Sequence, residues 1–148
     1  MLHYACYFGK IKALKALVEV FNADTNITDY RGQTPLHVAS VSGELGAVVY
    51  MCSKPECDKD AKDNALMTPL MNTVSSNHED SFIYLYFKES SELNNVDLSG
   101  NTLLHLAARS NGINIAKLFK HIYVHANNGD LDDSNMAVEN GMSPDNEP

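Results

Sequence analysis

The apolar residues of this chain fall into short helical stretches that return at a fixed interval. One runs Ile11, Leu14, Leu17 and Val18, and the next runs Leu45, Val48, Met51 and Cys52. Spacing of i, i+3, i+6 and i+7 places the four on one face of a helix, so each stretch predicts an amphipathic helix. Ahead of each lies a shorter stretch built around a leucine, and these leucines stand at 2, 36, 70 and 104, always 34 residues apart. The residues around them repeat as well: LHYACYFG from Leu2, DYRGQTPLHVASVSG from Asp29, DNALMTPLMNTVSSN from Asp63 and DLSGNTLLHLAARSN from Asp97. A repeat of this length is one supersecondary unit stacked on copies of itself, a quasi-one-dimensional solenoid.

The polar positions mark the ends of each element. Thr34, Thr68 and Thr102 fall where a helix N-cap is needed, because the hydroxyl oxygen accepts from a free N–H of the first turn. Pro35 and Pro69 follow at the first helical position, where the missing N–H costs nothing. Gly9, Gly43, Asn77 and Asn111 come at the far end, and glycine and asparagine tolerate the left-handed conformation that closes a helix. The first helix of each unit is therefore about two turns long. Polar residues after the second helix (Asp24–Thr25–Asn26, Asp58–Lys59–Asp60, Glu92–Leu93–Asn94) lead into the next Asp-x-x-Gly turn. Each unit reads as turn, short helix, longer helix, turn.

These residues resemble the ankyrin repeat, nearly letter for letter in DYRGQTPLHVAS and GNTLLHLAA, with in-register copies at Leu2 and Asp63. The resemblance covers about residues 1–125, with repeats at about 1–28, 29–62, 63–96 and 97–125. It implies an all-α ankyrin-repeat solenoid of stacked helix pairs with short β-turn fingers. Each unit is one residue longer than the usual 33 of that family. The extra residue is placed between the close of the first helix and the acidic residue of the following turn.

Composition narrows the function. Residues 1–125 hold 13 acidic and 11 basic side chains, whereas 126–148 hold six acids and no lysine or arginine. The second stretch, rich in Asn, Gly, Ser and Pro, reads as a solvated acidic segment, or as the start of a degenerate fifth repeat at Gly141–Met142–Ser143–Pro144. Neither part offers the basic stripe of a nucleic-acid surface. No apolar run is long enough to insert in a membrane, and no charged segment followed by an apolar one reads as a secretion signal, so none is expected. Three cysteines (Cys6, Cys52, Cys57) without framework spacing favour a reducing, intracellular compartment, cytoplasmic or on the cytosolic side of a membrane protein. Met1 stands where the motif has its proline, so the chain is read as a piece of a longer protein.

Catalytic chemistry finds no foothold. There is no phosphate loop, nucleophile elbow or HExxH, and no cofactor is expected. The pairs Cys52/Cys57 and His121/His125 have tolerable ligand spacings, but they sit a whole repeat apart, and no metal is expected. His3, His37 and His105 are read as structural, since the resemblance implies that this histidine links neighbouring repeats. The third copy carries Met71 in its place and Thr73 where the others have Ala5, Ala39 and Ala107, so this repeat is expected to be locally weak. Its run Phe82–Phe87 is too apolar for one buried face: either Phe82, Leu85 and Tyr86 pack inside with tyrosine hydroxyls reaching solvent, or the run forms an exposed aromatic patch for another domain or a partner.

The family resemblance also implies where a partner binds: finger tips and exposed first-helix positions. Carried over, these are Tyr30, Arg31 and Gln33, then Asn64 and Met67, then Leu98 and Asn101 on the fingers, with Tyr7, Phe8, Val41 and Arg109 on the helices. The expected function is a non-catalytic, monomeric module binding a protein or extended peptide on its concave face. The alternative is the substrate-recruiting or regulatory ankyrin domain of a membrane-bound DHHC-type S-acyltransferase whose catalytic part lies outside this chain.

Overall fold

A computed structural model describes residues 1–127 of the chain. The acidic segment lies outside them from residue 128 onward. Residues Met1–Ala116 form one compact unit, and the described residues from Lys117 belong to a second. Within the first unit four helix pairs follow one another: α1 (Leu2–Tyr7) with α2 (Ile11–Lys15), α3 (Pro35–Ser42) with α4 (Leu45–Cys52), α5 (Pro69–Ser75) with α6 (Glu79–Ile83), and α7 (Leu103–Arg109) with the start of α8 (Ile113–Asn127). First helices pack on first helices in order, α1 on α3, α3 on α5 and α5 on α7. Among the described residues there is no extended strand, only an isolated antiparallel bridge between Val96 and Thr102.

The caps form as their residue types require. Thr34, Thr68 and Thr102 each have extended backbone and accept through the side chain from the N–H three residues on. Gly9, Gly43, Asn77 and Asn111 all have positive φ, from 57° to 76°. The acidic residue opening each finger is equally purposeful. Asp29 Oδ1 accepts from the N–H of Arg31 and Gln33, Asp63 Oδ1 from Ala65 and Met67, and Asp97 Oδ1 from Ser99 and Asn101. One carboxylate thus fixes each tip, a turn chemistry open to short acidic side chains. The tips then join through backbone bonds, Asn64 N–H to the Arg31 carbonyl at 3.0 Å and Leu98 N–H to that of Ala65 at 2.8 Å.

The thirty-fourth residue has a specific home in repeats one and three. There the second helices end in a π-helical turn, Ala16–Val20 and Tyr84–Lys88, closed by Phe21 N–H to the Ala16 carbonyl and Glu89 N–H to that of Tyr84. A π-turn takes up one more residue than an α-turn. In repeat two the residue in register with Phe21 and Glu89 is Pro55, which has no N–H to give. Accordingly α4 stays α-helical and stops at Cys52.

The core runs through the middle of the stack: Leu2, Leu14, Leu36, Val48, Met51, Leu70, Phe82, Leu85, Leu106 and Ile115 are all buried. Phe82 and Leu85 are inside as expected and Tyr86 is half-buried, whereas Ile83 and Phe87 reach the surface. The fourth leucine departs from its register. Leu104 is 58% exposed, whereas Leu103, in register with the buried Pro35 and Pro69, is inside. Leu2, Leu36 and Leu70 are covered because another first helix packs beyond their own; none follows α7 among the described residues.

Repeat three is only partly as expected. It lacks the inter-repeat histidine bond, but Thr73 is not a polar misfit, since its hydroxyl donates to the Leu70 carbonyl at 2.6 Å. Met71 is completely buried. Ser110 of the next repeat donates to the Val74 carbonyl at 2.9 Å, and His78 bridges to the Val41 carbonyl at 2.9 Å. The repeat has replaced one set of staples with another.

Candidate protein-binding face

His3 and His37 hold the stack together. His3 Nε2 lies 2.7 Å from the Gln33 carbonyl and His37 Nε2 lies 2.8 Å from that of Met67. For His37 the tautomer is fixed, because Nδ1 accepts from the Thr34 N–H at 3.1 Å, leaving Nε2–H as the donor. Burial holds the His37 imidazole below its ordinary pKa and keeps it neutral. His105 repeats the local half of this arrangement with Thr102, yet it is exposed and its ring reaches no following finger among the described residues.

The thiols are equally internal. Cys6, Cys52 and Cys57 are buried and unpaired. Burial pushes Cys6 up to about 12 and Cys57 to about 11, and raises Cys52 as well. A thiol held protonated is neither a nucleophile nor a metal ligand. Among the described residues no three His, Cys, Asp or Glu side chains converge as metal ligands would. His121 and His125 meet edge to face on α8, with ring centroids 4.7 Å apart.

What the structure gathers is a groove along the fingers. A cavity of about 480 Å³ is lined by Tyr30, Arg31, Gln33, Asp63, Asn64, Ala65, Met67, Asn72 and Leu98. Six of the eleven residues marked from sequence (Tyr30, Arg31, Gln33, Asn64, Met67 and Leu98) therefore line one groove across three fingers. Tyr30 is 84% exposed and Leu98 71% exposed. Arg31 lies with its guanidinium 5.4 Å from the Tyr30 ring centre, donates from Nε to the Tyr30 hydroxyl, and makes no ion pair among the described residues.

The other five are placed differently. Tyr7 and Phe8 form an exposed aromatic cluster with Tyr4, the ring pairs Tyr4–Phe8 and Tyr7–Phe8 being 4.6 and 5.0 Å apart. Val41 and Arg109 are exposed on their first helices. Asn101 is spoken for within its own finger, donating from Nδ2 to Asp97 Oδ2 at 2.9 Å. That bond and the two backbone N–H groups hold the Asp97 carboxyl below its ordinary range. Asn64 also has internal work, donating to the Tyr30 carbonyl at 3.2 Å.

Two residues of this face escape a reading by family position. Tyr4 occupies the register of Val38 and Asn72, so a tyrosine there is a signal by its size alone. Asn72 looks like any polar letter, but it is buried on the groove floor, and its Nδ2 has no hydrogen-bond partner among the described residues.

The likenesses to known proteins agree with this architecture. The family described as ankyrin repeats (3 copies) matches residues 1–63 and 55–130. Human Rabankyrin-5 is 32% identical over 127 residues, which is 85% of this chain and 10% of that protein. Human neurogenic locus notch homolog protein 1 is 32% identical over 115 residues, 78% of this chain and 4% of that one. The chain thus spans a tenth or less of the length of these relatives. No helix among the described residues is long and apolar enough to cross a membrane. With its period, caps, fingers and stacking histidines accounted for, the chain belongs to the ankyrin-repeat family, whose repeats mediate protein–protein interaction.

Proposed function

We propose that this chain is a non-catalytic, monomeric interaction module that binds another protein through its fingers and first helices. The observation that supports this most is the group of exposed aromatic and arginine side chains on the fingers and first helices, although Phe21, Phe87 and Tyr123 are exposed elsewhere. Tyr4 and Tyr7 on α1 with Phe8 at its C-cap, Tyr30 and Arg31 on the first complete finger, and Arg109 on α7 all belong to finger or first-helix positions. Tyrosine and arginine carry interface energy because they combine contact area with directional polar groups. A cavity open along three fingers suits an extended segment or a protruding loop better than a small molecule. None of the relatives named above is a DHHC-type acyltransferase, and no feature of the site favours that alternative.

The test is a set of single substitutions against a partner recovered by crosslinking to the purified chain. Tyr30→Ala and Tyr7→Ala should each weaken binding about tenfold or more, the usual cost of truncating an interface anchor. Phe87→Ala, on the second-helix side of repeat three, should leave it unchanged. Binding that responds only to Phe87 would move the interface to the opposite side of the stack.

A further inference from the structure

Position 72 of the groove floor breaks the pattern of its own repeat. In register with it stand Tyr4, Val38 and Leu106, and the last of these is buried. Here the residue is an asparagine, only 4% exposed, whose Nδ2 makes no hydrogen bond to any described residue. A buried amide left without a partner destabilises the fold, and an apolar residue of similar shape would avoid that cost. The amide lines the cavity walled by Tyr30, Met67, Ala65 and Leu98.

A primary amide carries both a donor and an acceptor, the same pair that a peptide unit presents along an extended strand. Turned into the groove, where its now covered Nδ2 would become reachable, it can answer the N–H and C=O of one extended residue with two hydrogen bonds, whatever the ligand's side chains are. On the same groove, Arg31 supplies a cation that has no ion pair among the described residues. The finger carboxylates, Asp29 and Asp63 (the latter also lining the groove), do not compete for it fully, since Oδ1 of each already accepts two backbone N–H groups of its own finger. The apolar share of the wall comes from Met67, Leu98 and the Tyr30 ring.

We propose that this groove takes an extended peptide segment carrying an acidic residue beside an apolar one. Its backbone pairs with the Asn72 amide, its carboxylate meets Arg31, and its apolar side chain lies between Met67 and Leu98. This rests on the protein-binding reading above and specifies the ligand for one part of that face.

The test is selection of random linear peptides displayed on phage against the whole chain, followed by affinity measurement of the selected peptides on variants. Enrichment of an Asp or Glu next to an apolar residue is expected. Asn72→Leu, which installs the residue repeat four carries, should lower affinity about tenfold or more while urea denaturation shows the fold at least as stable. Arg31→Glu should lower affinity for acidic peptides and shift a repeated selection toward basic ones. Recovery of no binding peptides, or of basic ones on the native chain, overturns the proposal. Peptides weakened by Tyr7→Ala but indifferent to Asn72→Leu and Arg31→Glu overturn it too, while leaving the broader binding face standing.

Discussion

Two histidines in identical sequence settings should differ sharply in what they contribute. His37 and His105 both follow a capping threonine by three residues, and both place Nδ1 against that threonine's N–H and hydroxyl. Only His37 is completely buried and reaches the next finger, through Nε2 to the Met67 carbonyl. His37→Ala removes three hydrogen bonds worth about 1 kcal/mol each and leaves a ring-sized void. The Met67 carbonyl still accepts from the Asp63 N–H, so that group is not orphaned, which limits the loss. The expected cost is roughly 3 kcal/mol, against less than about 1 kcal/mol for His105→Ala, an exposed cap partner. Urea denaturation checks this through a lower midpoint at unchanged slope. The pH dependence adds a second readout. The folded pKa of His37 lies below its ordinary 6.5, so the unfolded chain binds a proton that the folded one refuses. Stability from this group is therefore whole above that value and is lost as pH falls toward the lowered one. His37→Ala should flatten that part of the profile and His105→Ala should not. Equal costs for the two substitutions would refute the argument that the inter-repeat bond, not the local cap, is what the motif histidine is for.

Further expectations concern groups whose environment the fold decides. The three buried thiols, held protonated, should react with a disulfide reagent at mildly alkaline pH only after the chain is unfolded; a fast stoichiometric reaction of the native chain would contradict their placement. Leu66 sits at φ 58° where the other fingers carry Gly32 at 75° and Gly100 at 80°, and it is 40% exposed. A left-handed conformation costs a residue with a Cβ about 1–2 kcal/mol, and glycine's added freedom when unfolded returns roughly 0.5–1 of that. Leu66→Gly should thus raise stability by up to about 1 kcal/mol in urea denaturation; a loss would show that the leucine's packing outweighs its backbone strain.

The features legible in the sequence are those whose cause is local. A threonine caps because of the three residues after it, and Gly43 or Asn77 closes a helix because of its own backbone freedom, so the period and its punctuation announced the fold. The misreadings arise where a residue's worth is set by the neighbouring copy. Leu104 has the letter and register of Leu36 but not its burial, since a first helix packs beyond α3 and none follows α7 among the described residues. Thr73 looked like a defect because its partner, the Leu70 carbonyl, is a backbone group that no side-chain pattern displays. Asn72 carried no signal as a letter; it becomes informative only once it is known to be buried and unpartnered. Pro55 is the instructive exception. The extra residue of each repeat was visible from sequence, and so was the proline that denies repeat two the N–H needed for a π-turn. The two facts join only when position 55 is compared with Phe21 and Glu89, whose N–H groups close that turn in repeats one and three. In a stack of near-identical units, what distinguishes one copy is what it lacks relative to the others. Asn72 follows the same logic: it lacks the apolar side chain of Leu106, and that makes it the place on this face where an internal need for a hydrogen bond is left for something else to meet.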